Sequence, residues 1–444
     1  SSFFDAATKR RLIAQTAIFL FLSFIGLIAF IGHRRLRKPF FFWVYFIVVG
    51  MGLFLALAQR VRFPHPSPAS ADAPLLERKV DRRVTIIGLD GLSFEFLSPL
   101  VSRGRLPNFS WLMDNGSSGR LTSFSPTEPL SLEASFSTGK FPAKHGKLSD
   151  YRYRLWKMRE SLDVVPRFIL FNQLARVGFL KVSPARPDIG LKDLWGILKG
   201  NRIPCLRKDG RGPEIPPVSG PRAEKLLLSA FDNPALLDDP YFVSAKTAFF
   251  RDNAAEEAAS AEKYQKSPQV FYLRLDGLNS VQAYFFKYSS PQYFGDIDQE
   301  RISRYGPVIE KYYEFYDELI GRYLTGMKED ELLVVYSPFG VEPLPLWKRF
   351  VERLLGDPDV SAYHERSPEG VVLFYGKGIR KGNRAGNMRL VDIAPTLLYY
   401  LGLPVGRDMD GIVQSPLFVA EFTAENPVIY ISSYEDFYIR PPLE

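Results

Sequence analysis

Apolar residues come in blocks along this chain, and the block lengths change once. Two charge-free apolar runs lie at 12–32 and 40–58, each as long as a bilayer-spanning helix. A basic turn, His33-Arg34-Arg35-Leu36-Arg37-Lys38-Pro39, joins them. The pair predicts a transmembrane helical hairpin over 1–62, since a cleaved signal peptide has one shorter apolar core. Pro and Ser then crowd 63–70, and 63–82 reads as a semi-rigid linker.

From residue 83 the runs shorten and alternate with helical periodicity. Strands are expected at 84–89, 120–124, 269–275, 332–336, 370–375 and 428–432. Helices are expected at 93–103, 107–115, 253–263, 307–327 and 391–401. The pattern loosens between about 150 and 266, including a Pro/Gly/Lys-rich loop at 201–221, and is read as an insertion. Near-continuous apolar strands with helical crossovers imply an α/β fold with a mainly parallel, doubly wound sheet. The predicted domain covers 83–415, with a C-terminal extension and strand over 416–444. Strand ends at Asp90, Asp276, Ser337 and Gly376 would share the edge where such sheets bind ligands.

Composition changes this picture in three places. The 444 residues are 46% hydrophobic, ample for a large core, and carry a net charge of +8. That charge is local. Residues 1–62 hold nine Lys/Arg (Lys9, Arg10, Arg11, Arg34, Arg35, Arg37, Lys38, Arg60 and Arg62) against one acid, Asp5. The remainder is neutral, with 48 residues of each sign, which disfavours a nucleic-acid-binding domain. Charge flanking apolar runs points to the lipid bilayer as partner. The turn carries four basic residues, against three before the first run and two after the second. This count favours a cytoplasmic turn and an exterior main domain. A single cysteine, Cys205, excludes an internal disulfide.

Asp90 and Asp276, delivered by two strand ends, are a residue type that binds divalent cations. Asp90 reads equally well as a turn residue accepting backbone N–H bonds. Histidine is scarce: of four, His33 and His65 precede the domain, leaving His145 and His364. A histidine-rich two-zinc centre is poorly supplied. No P-loop and no G-x-S-x-G elbow occurs.

Several stretches in the right order resemble the alkaline phosphatase superfamily, in its type I phosphodiesterase/nucleotide pyrophosphatase branch. They are Ile86-Ile87-Gly88-Leu89-Asp90-Gly91, Gly104-Arg105-Leu106-Pro107-Asn108, and Thr138-Gly139-Lys140 with Pro142 and His145-Gly146. Later come Gly376-Lys377-Gly378-Ile379, Asp392-Ile393-Ala394-Pro395-Thr396 and Asp408-Met409-Asp410-Gly411. The resemblance implies an alkaline-phosphatase-like fold, two divalent metals, usually zinc, and a Thr or Ser nucleophile. Carried across residue by residue, the first metal ligand falls on Asp90 and the last metal histidine on His364. The nucleophile position is Pro129, which has no hydroxyl; Thr127 and Ser131 each lie two residues away. The second ligand pair falls on Asn279 and Ala283. The third, Ser-Asp-His-Gly in the family, reads Ser337-Pro338-Phe339-Gly340 here. His145 matches a position that is structural in the family.

The expectation is therefore a degenerate, catalytically inactive phosphodiesterase-like domain. It would have no cofactor and would serve as a binding or scaffold subunit in a membrane protein complex. Asp90 and His364 would be remnant ligands. The alternative is an active metal-dependent phosphodiesterase or phosphotransferase acting on membrane-proximal phosphate esters. It would use one or two divalent metals on Asp90, Asp276 and His364, with Thr127 or Ser131 as nucleophile.

Overall fold

The computed structural model describes residues 81–435 except 126, 150, 156–177, 185–190, 210–220, 296 and 365–368, and parts of 17–51. The expected linker thus lies almost entirely outside the described residues. The chain divides into two compact units, 2–67 and 68–444. In the first, helical stretches lie within 17–32 and 40–51, and the Phe30 and Tyr45 rings meet at 6.2 Å between centroids. Among the described residues no helix is long and apolar enough to cross a membrane. The two-span anchor expected over 1–62, and the exterior placement derived from it, are not supported. An apolar run requires only that its residues avoid water. A span needs about 20 of them in one continuous helix.

The second unit is built on seven strands: β1 (Arg83–Leu89), β2 (Ser117–Thr122), β3 (Cys205–Asp209), β4 (Val270–Leu275), β5 (Glu331–Ser337), β6 (Gly370–Gly376) and β7 (Asn383–Arg389). Across the sheet they run β7-β2-β6-β5-β1-β4-β3. β3, β4, β1 and β5 are mutually parallel, β7 is parallel to β2, and β6 runs against both its neighbours. The sheet is thus mainly parallel, as the apolar runs require. β1 from Val84 onward and all of β4 and β5 are buried. The β-branched Val84, Thr85, Ile86, Ile87, Val334 and Val335 suit strands covered on both faces.

The helices used below are α1 (Phe94–Ser102), α2 (Pro107–Asn115), α3 (Pro129–Thr138), α4 (Val243–Lys266), α5 (Gly277–Ser289), α6 (Val308–Thr325), α7 (Leu346–Leu355) and α8 (Ile393–Tyr400). On α6 the expected stripe of Ile309, Tyr312, Tyr313, Tyr316, Leu319, Ile320 and Tyr323 is buried, at the 3–4 residue spacing of one helix face.

Two local expectations change. The stretch read as a loop at 201–221 contains β3, which pairs with β4 from Cys205 opposite Val270. With α4, it brings part of the region 150–266 into the main sheet and core, through Leu206, Phe249 and Ala259. β6 is antiparallel, with Val371 opposite Ser337 and Gly376 opposite Leu332. Gly376 therefore lies at the edge away from Asp90, contrary to the expected grouping. An apolar run encodes burial but not strand direction. The reversal carries the start of β6, just after His364, to the edge where β5 ends.

The sequence stretches 138–146 and 408–411 clasp each other. Gly139 O accepts the N–H groups of Asp410 (2.9 Å) and Gly411 (3.0 Å). Buried Lys140 Nζ lies 2.6 Å from Asp408 and 3.4 Å from Glu435, and Phe141 N donates to Asp410 at 2.8 Å. These stretches hold the frame on which the strand-end loops sit.

Candidate functional site

The carboxyl ends of β1, β4 and β5 bring three loops together. β1 delivers Asp90, whose N–H bonds Leu275 O at 2.9 Å. Gly91 follows at φ +92°, and a Cβ there would lie 2.4 Å from Gln282 Oε1 and 3.1 Å from Asn279 Cα. Only glycine lets this turn approach α5 so closely. Gly91 N donates to Ser337 Oγ at 3.1 Å, and Ser337 Oγ donates to Phe339 O at 2.8 Å.

Asp90 is 3% exposed, and both its carboxylate oxygens are taken by one side chain. Arg274 of β4 donates from Nε to Oδ1 at 3.1 Å and from a terminal nitrogen to Oδ2 at 2.8 Å. Its other terminal nitrogen bonds Glu133 of α3 at 3.0 Å. Glu133 also accepts from Tyr272 Oη (3.0 Å) and Arg207 (3.0 Å), and the Tyr272 and Tyr336 hydroxyls meet at 3.1 Å. Two carboxylates and two guanidiniums make this network formally neutral. Burial opposes charge on Arg274, but the Asp90 carboxylate foremost, with Glu133 also acting, outweighs it and drives its pKa well above the ordinary value. Burial, then the Glu133 carboxylate, pushes Tyr272 well up, so its hydroxyl stays protonated.

Sequence reasoning missed Arg274 and Glu133, although a signal was present. Arg274 is the lone charge in the apolar run Val270-Phe271-Tyr272-Leu273-Arg274-Leu275, and Glu133 the lone charge in α3. Two isolated opposite charges in buried elements call for each other.

The remaining expected residues fall into separate contacts. Pro129 opens α3 at its first turn, where its missing N–H costs nothing. Thr127 Oγ1 lies 2.7 Å from both His364 Nδ1 and the His364 carbonyl oxygen. The single hydroxyl proton goes to the carbonyl, which can only accept. Nδ1 must then carry its own proton and donate to Oγ1, so the imidazole is not poised as a base toward Thr127. The Phe339 ring stacks on His364 at 4.6 Å. Ser131 Oγ is fully buried and has no hydrogen-bond partner among the described residues. Half-buried Asp276 pairs with Arg251. Asn279 and Ala283 lie on α5, and the Ala283 carbonyl accepts from Ser361 N (2.7 Å) and Oγ (3.1 Å). Pro338 and Phe339 are buried in the loop after β5. His145 accepts from Lys147 N at Nδ1 (3.1 Å) and donates from Nε2 to Ser135 Oγ (2.8 Å). Burial, then Lys147 and Lys140, lowers its pKa to about 3, so it is neutral. The structure thus joins Thr127, Phe339 and His364, and gives Asp90 and Asp276 different arginine partners.

A family model for type I phosphodiesterase/nucleotide pyrophosphatase matches residues 84–166. No curated protein matches the sequence. Among solved structures, the chain is similar to murine ectonucleotide pyrophosphatase/phosphodiesterase 5, an inactive form in complex with AMP, at 11% identity and a TM-score of 0.45. It is also similar to the human ectonucleotide pyrophosphatase/phosphodiesterase 5, at 12% identity and 0.43. Each match covers 76% of this chain and 100% of the other. Residues 84–166, which run from β1 through α3, are thus similar to type I phosphodiesterases/nucleotide pyrophosphatases.

That family is normally dependent on divalent metal. The residues present do not fit such a centre. Among the described residues, no three His, Cys, Asp or Glu side chains gather to hold a metal. Asp90 is closed by Arg274, and Asn279, Ala283, Pro338 and Phe339, where the sequence resemblance would put further ligands, carry no carboxylate, imidazole or thiol.

Proposed function

We propose that this phosphodiesterase-like domain is a binding or scaffold module of a protein complex, with the family's hydrolytic chemistry lost. The observation that carries this reading is the bidentate Arg274–Asp90 pair. A guanidinium neutralises a buried carboxylate but has no coordination position to offer a phosphate ester. Nor does the network serve as a phosphate clamp: Arg274 directs Nε and both terminal nitrogens at Asp90 and Glu133. Pro129 adds a second support, having no atom that could be phosphorylated. Phe339 adds a third, its ring lying on the one retained histidine.

The alternative, an active enzyme with rearranged ligands, draws on the contact between Thr127 and His364, since a hydroxyl beside an imidazole is how nucleophiles are activated. The proton placement described above disfavours it.

The test is the metal content of the purified full chain, together with hydrolysis of bis-p-nitrophenyl phosphate. The expected result is no stoichiometric metal, no hydrolysis above buffer and an unchanged melting temperature in chelator. Bound metal near two per chain, with hydrolysis abolished by Thr127→Val, would establish the enzyme instead.

A further inference from the structure

α7 is turned inside out. Its sequence, Leu346-Trp347-Lys348-Arg349-Phe350-Val351-Glu352-Arg353-Leu354-Leu355, is strongly amphipathic. The apolar side faces outward: Leu346 is 79% exposed, Trp347 64%, Phe350 65% and Leu354 63%. At 100° per residue these four span one arc of about 100°. The polar side turns to the body of the domain. Arg349 lies 3.9 Å over the Phe294 ring and donates to Leu344 O. Lys348 lies 4.3 Å over the Tyr363 ring, and Glu352 accepts the Asp357 N–H at 3.1 Å. Short pairing of Glu342–Pro343 with Ala362–Tyr363 pins the base of this excursion. Residues 341–363 thus leave the sheet edge just after Phe339 and return at His364, whose rings stack.

We propose that α7 docks peripherally on an anionic lipid surface, its apolar face seated in the headgroup boundary. Two features favour lipid over a second protein copy. The first is area. Four side chains, each about two-thirds exposed, offer on the order of 400 Å², whereas a stable protein interface needs ~800 Å² per partner. Interfacial helices work at this scale, with Trp, Phe and Leu on one face and Lys or Arg beside it. The second is charge. Of the helix's charges, Lys348, Arg349 and Glu352 turn to the domain, and Arg353 stands on the exposed side. Exposed Arg353 borders the apolar arc next to Leu346. A second copy meeting this face would set like charges together, whereas phosphatidylserine headgroups would complement them. The contact is a surface one and rests on no spanning helix.

The test must report on α7 alone, because other parts of the full chain can also meet lipid. In a Cys205→Ser background, the full chain carries an environment-sensitive fluorophore at Leu354→Cys, or at Glu352→Cys on the opposite face. Each is mixed with phosphatidylcholine vesicles with or without phosphatidylserine. The expected result is a blue shift and brighter emission at position 354, little change at 352, and dependence on phosphatidylserine. Arg353→Ser should shift the vesicle titration about fivefold, and high salt should weaken it. Arg353 and Leu354 are exposed, so unchanged thermal unfolding is expected at these two positions and serves as their folding control; the half-buried Glu352→Cys variant is checked for folding by its own thermal transition. A label at 354 that stays in water with anionic vesicles would overturn the proposal. So would an equal response to phosphatidylcholine alone. A shift that follows protein concentration without vesicles would also overturn it, in favour of self-association.

Discussion

Two buried carboxylates in this domain are treated in opposite ways. Asp90, at the sheet edge, meets a guanidinium with both oxygens. Asp252, on α4 and fully buried, meets no cation directly among the described residues. Its Oδ2 accepts from Tyr312 Oη (2.8 Å), Tyr316 Oη (2.7 Å) and Gly277 N (3.1 Å). Its Oδ1 has no hydrogen-bond partner among the described residues. Burial, with Asp276 nearby, overrides these donors and lifts its pKa from 3.8 to about 7. Hydrogen bonds alone do not hold a carboxylate ionised here. The sheet edge thus pairs its buried carboxylate with a cation, whereas the helical layer holds one by neutral donors.

The largest effect expected is from Arg274→Met, which leaves Asp90 and Glu133 buried without their central cation. Chemical unfolding should reveal a loss of about 3–5 kcal/mol. Adding Asp90→Leu should recover part of it. A single variant as stable as the parent would break the comparison at its first term.

Asp252 should announce itself through pH. With a folded pKa above the unfolded one, its contribution to stability is full below about pH 4. That contribution is lost as pH rises through about 7. Asp252→Asn has no such loss. It should gain on the parent by up to about 4 kcal/mol between acid and mildly alkaline pH. A difference that stays flat with pH would mean that Asp252 titrates in the folded protein as it does in the unfolded chain.

Gly277→Ala probes the same cluster more gently. The added Cβ would fall 1.9 Å from Tyr312 Oη and 2.3 Å from Asp252 Oδ2. Forced displacement of these groups should cost about 1–3 kcal/mol and shift the pH midpoint assigned to Asp252. An unchanged midpoint would detach Gly277 from the cluster.

The smallest effect belongs to Thr127→Val, which removes one hydroxyl shared with His364. Thermal unfolding should register about 1 kcal/mol, and no catalytic rate should be lost. A rate abolished by this change would make the edge a working site after all.

Much of the frame was legible from the chain alone. The apolar runs at 84–89, 269–275 and 332–336 mark the buried parallel strands, because strands covered on both faces need unbroken apolar character. Pro107 and Gly116 bracket α2 as local chemistry dictates. Less was legible where pairing is non-local. The edge strand β3 has alternating exposure and charged residues, Arg207, Lys208 and Asp209, and only its hydrogen bonds to β4 make it a strand. The direction of β6 was equally hidden, and with it the placement of Gly376 away from Asp90. The apolar runs at 12–32 and 40–58 over-predicted a membrane hairpin, since hydrophobicity is necessary for a span without being sufficient.

The sequence by itself determined which side-chain atoms positions 129, 338 and 339 can offer. Proline at 129 has no hydroxyl, and Pro338 and Phe339 bring no metal-binding atom, whatever the fold. Tertiary structure alone decided what stands against Asp90 in their place. Arg274 is 184 positions away along the chain, and the parallel register that sets Gly88 beside Arg274 brings the guanidinium to the carboxylate. Local chemistry is carried by each residue, whereas charge partners across a sheet exist only once the strands have paired.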